Sequence, residues 1–62
     1  MVTKKETKFN VSIRYRDGGV DRYHGVKSAG IREGTLEVIE STSTVTYITL
    51  DIISYFRIEK EE

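Results

Sequence analysis

The sequence predicts an all-β domain with little helix. Three observations carry this expectation: an alternation of period two between Lys8 and Arg16, an Asp17-Gly18-Gly19 turn, and a run rich in β-branched and aromatic residues from Thr44 to Ile58. In no ten-residue window do the apolar side chains recur with the 3.6-residue period of a helix face. The architecture expected is an antiparallel meander of about five strands, curled into a small SH3-like or partly open barrel. Short turns between successive strands favour antiparallel neighbours.

The first strand is expected over residues 8–16. Phe9, Val11, Ile13 and Tyr15 alternate with Asn10, Ser12, Arg14 and Arg16, the pattern of a half-buried strand. Asp17-Gly18-Gly19 supplies residues that tolerate positive φ, so a hairpin follows. The second strand, over 20–29, is out of phase with a simple alternation. Strict pleating would set Arg22 on the same face as Val20 and Val26. A bulge between Tyr23 and Gly25 removes the conflict by shifting phase, which turns Tyr23 and Val26 inward. Arg32-Glu33-Gly34 reads as a second turn. A third strand is expected over 35–41 with Leu36 and Val38 inward, and Ser41 to Thr44 forms a polar loop.

The densest apolar run comes last. From Val45 to Leu50, Ile48 and Leu50 share one face while Val45, Tyr47 and Thr49 share the other. Asp51 interrupts the pattern, Ile52-Ile53-Ser54 reads as a tight turn or one helical turn, and Tyr55 to Glu59 resumes an extended strand with Phe56 and Ile58 together. The strands in this part are placed at 44–50 and 55–59. The expected organisation is a flexible charged arm over 1–7, one β domain over 8–59 and a charged tail over 60–62.

Size and composition limit what such a chain can do. A domain of 62 residues buries only about 60% of the surface its unfolded chain exposes, so the margin of stability is thin. There is no cysteine to supply a disulfide or a thiolate ligand. Burial against a second copy or another protein is the remaining way to add apolar contact. No apolar run reaches the ~20 residues of a membrane span and no signal-peptide pattern opens the chain, so a cytoplasmic location without membrane contact is expected. The formal net charge is zero, but residues 1–27 hold seven basic against three acidic residues and residues 28–62 the reverse.

Catalytic equipment is not evident. The single histidine, His24, could be grouped with Asp21 and Asp17, yet their spacing is not that of a metal site. The serines lack a nucleophile elbow, and Gly18-Gly19 fits a hairpin better than a phosphate loop. No enzyme activity, cofactor or metal is expected. The functional expectation is a non-enzymatic protein-binding module that self-associates, as a homodimer, and acts by occupying a partner protein's surface. This is how regulators and short inhibitors of phage or mobile-element type act. Its interface is expected at Ile39, Val45, Tyr47 and Tyr55, apolar residues left on the outer side when the core is filled. The alternative is a small-barrel binder of single-stranded nucleic acid that uses the basic N-terminal hairpin, with Arg14, Arg16, Arg22 and Lys27 facing the phosphates.

Overall fold

The computed structural model describes residues 7–61. The predicted arm, apart from Thr7, and the terminal Glu62 lie outside the described residues. Among the described residues there are six strands, β1 (Phe9–Tyr15), β2 (Val20–Val26), β3 (Ser28–Arg32), β4 (Thr35–Ile39), β5 (Val45–Thr49) and β6 (Ile53–Lys60), with one 3₁₀ turn at Leu50–Ile52. They form two antiparallel three-stranded sheets. The first has the order β2-β1-β6 and the second β3-β4-β5. Among the described residues there is no helix long and apolar enough to cross a membrane.

The fold is all-β and antiparallel, as expected, but its order is not that of a simple five-strand meander and the strands do not close into a ring. Two local features account for the difference. The strand predicted over 20–29 is divided at Lys27, whose N–H donates to the Ile39 carbonyl at 2.8 Å and starts the second sheet. The 3₁₀ turn then carries the chain away from β5, so that β6 returns to the far edge of β1 instead of pairing with β5. β6 runs through Lys60, and the Glu61 N–H donates to the Lys8 carbonyl at 2.8 Å.

The expected bulge in β2 is present. Val11 faces Tyr23 and Phe9 faces Val26, so His24 and Gly25 together oppose Asn10. Gly25 has φ +65°, a conformation that a residue with a Cβ adopts at a cost. Its N–H, displaced from the ladder, donates to the Asn10 side-chain oxygen at 3.1 Å. The phase shift leaves Val26 buried and Tyr23 half-buried. A second irregularity, at Ser54 opposite Arg14 and Tyr15, keeps Ile53 inward while Tyr55 turns outward.

The inner faces of both sheets meet around one core. Val11, Ile13, Val26 and Ile53 come from the first sheet, and Leu36, Val38 and Ile48 from the second, with Phe9, Tyr15, Tyr23, Ala29, Leu50, Phe56 and Ile58 packed around them. Leu36 and Val38 are fully buried. Ile31 shares the Leu36 row but lies on the edge strand β3, where the core does not reach it, and it is 55% exposed. The β3–β4 connection is a two-residue hairpin turn in which Glu33 and Gly34 both have positive φ, +48° and +74°. Such a turn favours Asn-Gly, so Glu33 is an unfavourable residue at its position.

Two stability outcomes are expected from urea unfolding. Leu36→Ala should lose about 2–5 kcal/mol, a large part of the stability of so small a domain, while Ile31→Ala loses well under 1 kcal/mol. Glu33→Asn should raise stability by a few tenths to about 1 kcal/mol, by making positive φ easier at that turn position.

Candidate functional site

The outer faces of the two sheets differ in chemistry. On the second sheet the outward rows are Arg32–Thr35–Thr49, Gly30–Glu37–Tyr47 and Ser28–Ile39–Val45. Tyr47 is 67% exposed, Val45 39%, and Ile39 is half-buried between its neighbours. These three of the four predicted interface residues therefore share one face. Tyr55 does not join them. The 3₁₀ turn and the Ser54 irregularity deliver it to the outer face of the first sheet, opposite Arg14.

β5 is also an edge. The Leu50 N–H donates to the Gly34 carbonyl at 2.9 Å and the Glu40 N–H to the Thr44 carbonyl at 2.9 Å, so these bonds bracket the β4–β5 ladder. In an antiparallel ladder hydrogen-bonded and non-hydrogen-bonded pairs alternate. Pairs 35/49, 37/47 and 39/45 must then be the non-hydrogen-bonded ones. The backbone N–H and C=O groups of Val45, Tyr47 and Thr49 consequently point away from β4, along the open edge. Of the four strands at sheet edges among the described residues, β5 alone has no charged residue; β2 contains Asp21 and Arg22, β3 Arg32, and β6 Arg57, Glu59 and Lys60.

The outer face of the first sheet is basic. Its rows are Val20–Arg14–Tyr55, Arg22–Ser12–Arg57 and Asn10–Glu59, and Ser12, Arg14, Val20, Arg22, Tyr55 and Arg57 border a shallow open depression of about 280 Å³. Arg14 and Arg22, two of the four residues expected to face nucleic acid, are thus brought together. Arg16 lies elsewhere, at the hairpin end, where with Tyr15, Asp17, Asp51 and Ile52 it lines a cleft of about 430 Å³. Lys27 sits at the β2–β3 division beside Lys8, Glu40, Ser41 and Thr42. Arg57 was not singled out by sequence. Its phase between Phe56 and Ile58 set it outward, but only the non-local β1–β6 pairing sets it near Arg14 and Arg22.

The acidic side chains near the hairpin are engaged locally. Asp17 Oδ1 accepts from the Gly19 N–H at 2.8 Å, stabilising the turn. Asp21 Oδ2 accepts from the Tyr15 hydroxyl at 2.7 Å. Burial, and then the bond to Asp21 and the charge of that carboxylate, push the Tyr15 phenol up to about 12. Tyr23 is raised as well, by burial first and then by Asp21 and Glu40. Both phenols therefore remain protonated at neutral pH and pack against the core, and that of Tyr15 is also a hydrogen-bond donor. Among the described residues no three His, Asp or Glu side chains lie close enough to hold a metal ion. No protein-family model, curated protein or solved structure matches the chain.

The raised phenols make stability depend on alkaline pH. A phenol with a folded-state pKa above its unfolded value of 10.0 contributes stability that is intact below that value, and it is lost as pH rises through about 12. Thermal midpoints should therefore fall between these limits. Spectroscopic titration of the tyrosinates should show one phenol ionising last, and this late phase should disappear in Tyr15→Phe and move to lower pH in Asp21→Asn.

Proposed function

We propose that the protein is a non-enzymatic binding module that self-associates as a homodimer and acts by occupying the surface of another protein, as a regulator or inhibitor. The observation that carries the reading is the uncharged open edge of β5. Natural sheets protect exposed edges with charge, proline or irregular geometry. Thr44-Val45-Thr46-Tyr47-Ile48-Thr49 has none of these. Its three outward backbone sites and the exposed Val45 and Tyr47 suit the addition of another strand.

A second copy is the occupant that the sequence of the edge fits. Antiparallel pairing about Tyr47 sets Tyr47 against its own counterpart, Val45 against Thr49, and Thr46 against Ile48, with no like charges opposed in any rung. The outer faces of the two second sheets would then continue into one another, joining two copies of the Ile39–Val45–Tyr47 patch. The fold is read here as a partly open, SH3-like curl. In support are the division of one long strand between two sheets and the single 3₁₀ turn before a last strand that returns to the first. That likeness concerns architecture alone, since one fold serves many functions.

Light scattering on the full chain tests the dimer. The wild type should show a concentration-dependent mass approaching that of two chains. Tyr47→Lys should shift it to monomer by introducing like charges across the two-fold axis. Thr49→Pro should do the same by removing an outward N–H, and its fold should survive because Thr49 already has φ −68°, a value proline adopts. A wild type that is monomeric at high concentration, or folded variants with undiminished mass, would refute the β5 interface.

A further inference from the structure

We propose that the outer face of the first sheet is a binding site for single-stranded nucleic acid, built from Arg14, Arg22, Arg57 and Tyr55. This site is separate from the β5 edge and does not depend on dimerisation.

The first argument is the excess of positive charge on the face, where three arginines stand against one acid, Glu59, in the neighbouring Asn10–Glu59 row. Arg22 and Arg57 flank Ser12 in one cross-strand row, and Arg14 lies two residues further along β1, diagonal to both. Side chains at such positions are within reach of one another, so three guanidinium groups repel across a small area. The one ion pair among the described residues is Arg57 with Glu59, at 4.0 Å between side chains that are both about 60% exposed, a weak restraint. Asp17 and Asp21 are engaged by the Gly19 N–H and the Tyr15 hydroxyl. Glu33 and Glu37 are on the other sheet or its hairpin turn, and Glu40 follows β4, where it accepts from the Thr46 hydroxyl at 2.8 Å. The zero net charge of the chain is therefore no guide to this face, which has three arginines and one glutamate among its outward residues on β1, β2 and β6.

The second argument identifies the anion. All three cations are arginines, whose planar forks match phosphate oxygens in pairs and stack on aromatic rings. Tyr55 shares a row with Arg14 and is 49% exposed, with the phenol ring available as a stacking surface. Val20, at the other end of that row, is also 49% exposed and extends the apolar ground beneath a base. Cationic groups for the backbone beside an aromatic platform for a base are the two requirements of sequence-tolerant single-strand binding. An acidic peptide would use the arginines and leave Tyr55 and Val20 in water. A duplex would offer phosphates but keep its bases stacked away from Tyr55. The open depression between the arginines leaves this face accessible.

Fluorescence anisotropy of a short labelled oligo-dT with the full chain tests the site. Three phosphate contacts predict a log Kd against log salt slope with a magnitude of about 2, from about 0.7 per neutralised phosphate on a single strand. Arg57→Gln should weaken binding and reduce that slope by about 0.7. Tyr55→Leu should weaken binding about fivefold or more with the slope unchanged, because it removes stacking and no charge. Arg16→Gln and Lys27→Gln, off the face, should leave both quantities as in the wild type. Circular dichroism establishes that each variant is folded, and light scattering reports the oligomeric state, so loss of the dimer is distinguished from loss of this site. Absence of binding at low salt by the folded protein would overturn the proposal. Polyglutamate or duplex DNA bound as tightly as oligo-dT would overturn it too, as would an equal loss in the Arg16 and Lys27 variants.

Discussion

The fold depends on the passage of one chain segment between two sheets at Val26 and Lys27. Val26 is the last residue of β2 and is 2% exposed, so it closes the core from the first sheet. One residue later the Lys27 N–H is bonded to Ile39, and the chain belongs to the second sheet. A flat strand could not make this change within so few residues. The bulge at His24 and Gly25 supplies the bend, and Asn10 stabilises it by accepting from the N–H that the bulge releases. Each outer face described above therefore takes its orientation from a glycine with positive φ and an asparagine on the adjacent strand.

Because both sheets spend their inner faces on a single core, their outer faces are free to differ. The second sheet carries one arginine and one glutamate on its outward rows, Arg32 and Glu37, and one of its edges, β5, is uncharged. The first sheet places arginines on its outward rows and has charged edges. What the two outer faces offer is exposed backbone at β5, and guanidinium groups and tyrosine rings. The two proposed sites use different strands, β5 in one case and β1, β2 and β6 in the other, so a change in one need not disturb the other.

Local patterns in the sequence were informative and long-range pairings were not. The alternation through Phe9, Val11 and Ile13 placed these residues inward, and the misfit of Arg22 with Val20 and Val26 located the bulge, because both signals reside in adjacent residues. The same is true of Leu36, Val38 and Ile48. The division at Lys27 was not visible, since an extended segment that changes sheet has the same composition as one that continues. Phase along the chain puts Tyr55 with Val45 and Tyr47, and phase cannot record that a 3₁₀ turn intervenes. Arg57 was missed for the related reason that its neighbours on β1 are more than forty positions away in the chain.

The β1–β6 ladder also has a consequence for the order in which the molecule is assembled. The second sheet is made from contiguous chain, residues 28–49, and each of its pairings closes only a short loop. The first sheet needs residues 9–15 to meet residues 53–60, and so requires nearly the whole chain before it is complete. Contacts of such sequence separation carry the larger closure entropy and form late. During synthesis the β1–β2 hairpin must therefore wait with one edge unpaired until the final strand emerges. A chain shortened before β6 would leave Val11 and Ile13 without Ile58 and Phe56 across from them, and would expose as a sticky edge β1, the strand otherwise held at the centre of the first sheet.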